Sequence, residues 1–533
     1  MNSTLNRYSN PNQTQSNSST LIDGLMQPQC YDHPVTELRL IETHISWVIL
    51  TGSFVYKIKK PIALDFLDFS SLEKRHFYCQ QEIRLNQRLA PEIYLQVVTI
   101  SGTSKNPVIN GEGEVIEYAV KMRQFPQASQ LDRMLEHGDL KTSHIDAFAD
   151  LIANFHQTNN IAGSNVKFGE PMNLLRPVEE NFTMLEEHIN DKQLIEKLKK
   201  LQAWSETAAS DLQAVFKQRK QYGYIRECHG DLHLRNMAWV NDKPLLFDCI
   251  EFDDNLIWID VISEVAFLYM DLHKNECQQL AFRFLNHYLE LTGDYVGVTV
   301  LPFYLSYRAL VRAKIASIQA EQLGQYSERQ AEAEKTFQQY LLLAENYTKK
   351  TSPQLIITHG FSACGKTTIS QKLLEQMGVI RIRSDVERKR LFGMQTEKNA
   401  SADIGKAIYN SKSNKKTYDK LLELAGVILD SGFSVIVDAT FLEFSQRKRF
   451  QNLASVKRVP YIILDITAQV SSLRQRIEQR EKGASDATRA VLEYQLNNSE
   501  QLRDGENSHV VVIDTEIALN VGSLLKKISS FRI

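Results

Sequence analysis

The stretch Gly360-Phe361-Ser362-Ala363-Cys364-Gly365-Lys366-Thr367-Thr368 constrains this chain more than any other. It spells GxxxxGKT and stands between an apolar run, Gln354-Leu355-Ile356-Ile357-Thr358, and a segment of helical character that continues to Met377. In such a strand–loop–helix setting, consecutive backbone N–H groups and the helix N-terminus cradle phosphate oxygens. Lys366 would reach the β- and γ-phosphates, and Thr367 would help hold a magnesium ion. The expectation is an α/β unit with a parallel sheet.

The residues that follow support it. Val379-Ile380-Arg381-Ile382-Arg383 reads as a strand that ends at Ser384-Asp385, on the side where α/β sheets bind their ligands. Asp385 is suited to align an incoming hydroxyl or accept its proton, with Arg388 one turn on to steady the acceptor; the plainer role is a helix cap. Another strand, Ser434 to Phe441, puts Asp438 at its end, where it could coordinate magnesium through water or touch the acceptor. Arg447 beyond it reads as either a ligand contact or a solvated charge. Tyr461–Ile466 and His509–Asp514 supply two more strands. The helical run Ser471 to Arg480 carries Arg474, Arg476 and Arg480, the last two sharing a face. Guanidiniums on such a lid would meet charge on a transferred phosphoryl group. Together RSDVERKRLFG, VIVDATF, LRQRIEQR and SDA resemble the branch of P-loop kinases that contains zeta-toxin-like and polynucleotide-kinase-like proteins. That resemblance implies Asp385 as the base, Arg388 as an acceptor contact and Arg476 or Arg480 as the lid arginine.

Upstream, His229-Gly230-Asp231-Leu232-His233-Leu234-Arg235-Asn236 forms a loop between strand-like segments, and Asp248 leaves the strand Pro244-Leu245-Leu246-Phe247. An Asp to orient an acceptor hydroxyl, with an Asn and a second Asp for magnesium, is the set that kinase-like phosphoryl transfer uses. Thr43–Leu50 and Phe54–Pro61 read as a hairpin around Thr51-Gly52-Ser53. Lys57 and Lys59 share one face of the second strand, and either could reach a phosphate; an edge-strand surface lysine is the plainer reading. Ser71 to Leu89 is helical and carries Glu82, the partner such a lysine needs. Strands at Tyr94–Ile100 and Val115–Met122 lead to a hinge at Arg123-Gln124-Phe125-Pro126, and helices follow from about Gln130. Trp258 to Leu268 reads as one apolar helix.

HGDLHLRN, LFDCIEFDD, WIDVISEVAFLYMDL and YRALVRAK resemble the phosphotransferase family that includes aminoglycoside phosphotransferases and choline kinases, over roughly Leu21 to Tyr340. The resemblance implies a two-lobed, protein-kinase-like fold that phosphorylates small-molecule hydroxyls. By motif, Asp231 would be the catalytic base, Asn236 and Asp248 the magnesium ligands, and Lys57 with Glu82 the phosphate-positioning pair, Lys59 competing with Lys57. His229 would support the loop. One departure stands out: no glycine-rich GxGxxG loop precedes Lys57, only Thr51-Gly52-Ser53.

The expected architecture is therefore an α+β two-lobed kinase-like domain over 21–345 and an α/β P-loop domain with a parallel sheet over 353–533, joined across Thr351-Ser352-Pro353. Residues 1–20, rich in Asn, Ser, Gln and Thr, read as a disordered tail. At 533 residues the chain is too long for one core. No apolar run is long enough for a spanning helix, the start lacks a secretory pattern, and the six scattered cysteines read as reduced thiols of a cytoplasmic protein. The expected function is a bifunctional phosphotransferase moving the γ-phosphoryl of ATP, or GTP, to hydroxyls at two sites with Mg2+. Two alternatives stand beside it. One is a P-loop kinase or ATPase with a degenerate kinase fold used for binding. The other is a nucleic-acid 5′-hydroxyl kinase, against which the net charge of -2 argues, while Arg383, Arg388, Lys389 and Arg390 form a local basic patch.

Overall fold

The chain doubles back on itself, so its two compact units do not follow the linear order. One is Met1–Leu140 with Asn159–Gly169 and Gly223–Glu264; the other is Lys141–Thr158 with Glu170–Tyr222 and Val265–Ile533. The computed structural model describes residues 20–64, 67–163, 166–189, 191–322, 328–393, 411–479 and 488–531. Of the polar tail, residues 1–19 lie outside the described residues, as do Arg480 and Ser485-Asp486-Ala487.

The first unit is built on an antiparallel sheet of six strands: β1 (Arg39–Glu42), β2 (Ser46–Leu50), β3 (Phe54–Lys59), β4 (Tyr94–Thr103), β5 (Asn106–Ile109) and β6 (Val115–Arg123). Their spatial order is β1-β2-β3-β6-β4-β5, which makes β3 an interior strand. Strand alternation sorts its side chains. Tyr56 and Ile58 enter an apolar cluster with Ile49, Val98, Ile100 and Ala119. Lys57 and Lys59 take the other face, where helix α1 (Leu72–Asn86) brings Glu82 to them. A one-residue slip would exchange two core side chains, each worth ~1.5–3 kcal/mol of burial, for two ammoniums, and this fixes the register. Ser71 starts α1 by accepting a hydrogen bond from the Lys74 amide.

Further along, β7 (Ile225–Glu227) leads into the HGDLHLRN loop, and β8 (Met237–Val240) pairs antiparallel with β9 (Lys243–Leu246). Asn241 and Asp242, both with positive φ, make the tight turn between them. The segment expected to be one helix from Trp258 divides: Trp258–Asp260 is a strand (β10) paired with β7, and the helix runs from Val261 to Lys274. Asp260 makes the break, since its carboxylate accepts the Ile262 amide at 2.9 Å as a cap does.

The second unit contains helices α2 (Thr142–Thr158) and α3 (Gln278–Thr292), packed on each other, and a parallel sheet of five strands. The strands are β11 (Leu355–His359), β12 (Ile380–Arg383), β13 (Val435–Asp438), β14 (Tyr461–Thr467) and β15 (Val510–Asp514), in the order β12-β13-β11-β14-β15. β11 lies at the centre with β13 and β14 on either side. Its Ile356 joins Ile436, Ile462, Leu464 and Ile513 in a core closed by Leu373 and Leu374 of helix α4 (Lys366–Met377). Helix α5 (Ser384–Leu391) leaves the end of β12. Helices α6 (Val470–Glu478) and α7 (Arg489–Asn498) follow β14 and pack together. Arg447, weighed above as ligand contact or solvated charge, is neither. It is fully buried, with Nε donating to Glu506 Oε1 at 2.7 Å and Nη1 to the Phe441 carbonyl at 2.9 Å.

Candidate active sites

In the first unit the expected charged residues meet. Lys57 Nζ lies 2.8 Å from Glu82 Oε1 and 2.6 Å from Asp248 Oδ1. Lys59, the competing lysine, reaches the other oxygen of the same glutamate at 2.7 Å and also pairs with Glu251. Their surroundings differ: the Lys59 side chain is wholly buried, while Lys57 meets Asp248, whose side chain is 46% exposed. Burial works against the charge on Glu82, but the two ammoniums outweigh it and hold the carboxyl below its usual range. Glu251 goes the other way, because burial raises it and Lys59 offsets only part.

The loop residues are fixed by hydrogen bonds. Asn236 Nδ2 donates to the Asp231 carbonyl at 2.9 Å and to Asp231 Oδ2 at 3.0 Å, so the side-chain Oδ1 is the Asn236 atom that could take a cation. His233 Nε2 stands 3.2 Å from the same Asp231 oxygen. The His229 ring bridges the loop and β9: Nδ1 accepts the Asp231 amide, and Nε2 meets the Phe247 carbonyl at 2.8 Å. Burial pushes its pKa down, and the Asp231 N–H facing Nδ1 leaves no place for a second ring proton. Asp248 takes a left-handed backbone conformation, φ 65°, with its amide donating to the Tyr94 hydroxyl at 3.0 Å. For a non-glycine residue this costs energy, and the surrounding hydrogen bonds hold it there. The Thr51-Gly52-Ser53 turn is not an open amide cradle. The Gly52 amide donates to Gln124 Oε1 at 3.0 Å, and a Cβ at Gly52 would lie 1.9 Å from Thr36 Oγ1.

In the second unit the glycine-rich loop connects β11 to α4. Gly360, Ala363 and Gly365 all have positive φ, and a Cβ on Gly360 would lie 2.3 Å from the Ile466 carbonyl. Phe361 and Cys364 turn toward the core, while Ser362, Ala363, Gly365, Lys366, Thr367 and Thr368 face a cavity of about 880 Å³. Asp385, Arg388, Asp438 and Arg476 line the same cavity, so one space gathers every described residue expected at this site except those two core-facing ones and Gly360. Lys366 Nζ donates to the carbonyls of Gly360 at 3.0 Å and Phe361 at 2.6 Å. Asp438 accepts from Ser370 Oγ at 3.1 Å, and Arg388 Nη2 donates to Asn414 Oδ1 at 3.2 Å. Arg476 Nη1 donates to Thr515 Oγ1 at 2.9 Å. Asp385 takes Arg383 Nη2 at 2.9 Å and the Val386 amide at 3.0 Å. Its burial favours the neutral acid, yet Arg383 prevails and lowers its pKa. Asn236, Asp248, Thr367 and Asp438 all offer the hard oxygen donors that magnesium takes.

Several participants carried no sequence signal. Glu251, Tyr94 and His233 are drawn in by the first site, and Ser370 and Gln495 by the second, Gln495 Oε1 accepting the Ser362 amide at 2.9 Å. Glu251 in LFDCIEFDD had one available hint: a charge that becomes buried must find a partner of opposite sign.

A bilobal kinase-like fold followed by a P-loop unit with a parallel sheet defines an ATP-dependent phosphotransferase, its acceptor unspecified. The phosphotransferase enzyme family model matches residues 78–298, and an AAA domain model matches residues 355–502. The chain belongs to one family with an uncharacterized protein of Mycobacterium tuberculosis and its counterpart in Mycobacterium bovis. It is 30% identical to each over 467 residues, 87% of this chain and 91% of theirs. Among solved structures, a choline kinase from Cryptosporidium parvum aligns over 62% of this chain and 96% of its own, at 11% identity and a TM-score of 0.40. A sugar kinase from Janibacter sp. aligns over 34% and 94%, at 18% identity and a TM-score of 0.25. Among the described residues no helix is long and apolar enough to cross a membrane.

Proposed function

We propose that the protein is a bifunctional phosphotransferase of the cytoplasm, acting on small-molecule hydroxyls at two separate sites, one in each of the domains 21–345 and 353–533. The observation that carries this reading is that each site joins cationic phosphate contacts to a carboxylate suited to a hydroxyl. In the first, Lys57 positions phosphates while Glu82 holds its ammonium. Asp231, oriented by Asn236 and His233, takes the proton of the acceptor hydroxyl as its oxygen bonds to the γ-phosphorus and the bond to ADP breaks. In the second, the 360–368 loop and Lys366 hold the phosphates, and Asp385 aligns the acceptor. Arg388 contacts that acceptor, and Arg476 or Arg480 meets charge on the transferred group. Magnesium, held by Asn236 and Asp248 in the first site and by Thr367 and Asp438 in the second, would draw off charge from the phosphate oxygens. The phosphoryl donor is ATP or GTP. The two halves follow the aminoglycoside phosphotransferase and choline kinase pattern and the zeta-toxin and polynucleotide kinase pattern, respectively.

One observation favours a second reading, a P-loop kinase whose upstream kinase fold serves only to bind. The Gly52 amide is already taken by Gln124 and is not free to clamp a phosphate above Lys57. Mass spectrometry of metabolites phosphorylated by the full-length protein, compared with full-length Asp231→Asn and Lys366→Ala, decides between them. Bifunctionality predicts that each variant loses a different part of the phosphorylated products. Asp231→Asn leaving every product intact would reduce the upstream fold to a binding module.

A further inference from the structure

We infer that Glu290, on a helix within the phosphotransferase-family region, is a positioning residue for Asp385 in the P-loop site. The inference rests on the reading of Asp385 as the group that aligns the nucleophile. Glu290 lies in the last turn of α3, and its two carboxylate oxygens are divided between two arginines of β12: Oε1 is 2.7 Å from Arg383 Nη1 and Oε2 is 3.1 Å from Arg381 Nη2. The other terminal nitrogen of Arg383 lies 2.9 Å from Asp385 Oδ2. One guanidinium is thus shared by two carboxylates, one from α3 and one facing the cavity.

The backbone of β12 is held separately. The Arg381 amide donates to Asn286 Oδ1 at 2.7 Å, Asn286 Nδ2 donates to the Val379 carbonyl at 3.0 Å, and the Tyr295 hydroxyl meets the Arg381 carbonyl at 3.4 Å. These contacts cover the edge of the parallel sheet, as an exposed edge strand requires. Arg390 Nη2, donating to the Glu290 carbonyl at 2.5 Å, anchors the helix end from the α5 side. Docking is therefore provided by Asn286, Tyr295 and Arg390, and the Glu290 carboxylate does something else: it engages the side chain that touches Asp385.

The charged groups around Asp385 are Arg383 on β12, Glu290 beyond it on α3, Asp438 on the neighbouring β13, and Arg388 one turn along α5. A carboxylate held by an undivided guanidinium is a poor proton acceptor, because the positive charge stabilises its ionised form. Glu290 draws part of that charge away and fixes the plane of Arg383, so Asp385 keeps its orientation and loses less of its basicity to Arg383 than it would beside an undivided guanidinium.

The test uses the full-length protein carrying Asp231→Asn, so that magnesium-dependent ATP hydrolysis to water reports on the P-loop site, and Lys366→Ala in that background defines the signal. The expected result is that Glu290→Gln moves the acid limb of the pH–rate profile down by roughly one unit and lowers the plateau. Glu290→Asp, which keeps the charge, should leave the limb in place, and Asp385→Asn should remove it. A Glu290→Gln profile lowered equally at every pH, its limb unmoved, would overturn the inference and leave Glu290 a docking residue. If Glu290→Gln fails to fold, a limb displaced by Glu290→Asp as far as by Arg383→Gln overturns it equally. Hydrolysis that survives Lys366→Ala, or is absent before it, would instead sink the functional reading of the site, and this inference with it.

Discussion

The two proposed phosphate sites are assembled in opposite ways. The upstream site is made of side-chain charges from distant parts of the chain: Lys57 and Lys59 from a strand, Glu82 from a helix, Asp248 and Glu251 from a segment far downstream. Two ammoniums meet three carboxylates there, and all but Asp248 are buried. The P-loop site is made mainly of backbone from one short stretch, with Lys366 resting on carbonyls of its own loop. An interlocked set of buried charges is intolerant, since removing any member strands another in low dielectric. A backbone cradle tolerates side-chain change around it but not a Cβ at Gly360. The same chemistry can rest on tertiary electrostatics or on local conformation, and the two fail differently.

The sharpest way to break the comparison is kinetic. Asp231→Asn should reduce transfer at the upstream site roughly 10²–10⁴-fold without loss of folding, since the substitution keeps an oxygen toward Asn236. Lys366→Ala should reduce turnover at the P-loop site by about 10²–10³-fold, leaving the upstream site active. Steady-state rates of the two full-length variants, with circular dichroism as a folding control, check both; equal loss of all activity in each would mean one site, not two. Next in size is a contrast within the buried cluster. Lys59→Met should cost about 3–5 kcal/mol in denaturant unfolding, because Glu251 and one oxygen of Glu82 lose their partner. Lys57→Met, next to the half-exposed Asp248, should show its larger effect in upstream turnover than in stability. The reverse pattern would exchange the roles of the two lysines.

The smallest effect is in pH. His229 has a folded pKa below its usual value of 6.5, so its contribution to stability is complete above that value and falls away as pH drops through it. Glu82, also depressed, adds a loss at lower pH, below its ordinary 4.5, whereas Glu251, raised by burial, contributes stability that is lost as pH rises above 4.5. The melting temperature of the full-length protein should fall from about pH 7 to 5, where His229 titrates with His144 and His273, also lowered by burial, and against His287, for which Asp150 outweighs burial and raises the pKa. His229→Gln, whose amide can still donate to the Phe247 carbonyl, should flatten that slope; an unchanged slope would place the titrating group elsewhere.

Much of this protein was legible before any coordinates. The 360–368 loop could be read because its proposed function lies in contiguous backbone, and the positions of Asp438 at the end of β13 and Asp385 just past the end of β12 followed from the same α/β pattern. HGDLHLRN with Asp248 was readable for a related reason: Asp231 and Asn236 sit on one turn and bond each other directly. The sequence by itself determined the two kinds of fold and their order, and it named the candidate residues for the proposed phosphate chemistry. Only the tertiary structure decided which charges pair. It gave Lys57 to Asp248 and Lys59 to Glu251, with Glu82 shared, buried Arg447 against Glu506, and laid Glu290 across two arginines of the P-loop sheet. The physical reason is that burial obliges a charge to find a partner without naming it. The partner is whichever opposite charge the packing of apolar faces brings within hydrogen-bond reach, and that depends on elements far apart in the chain.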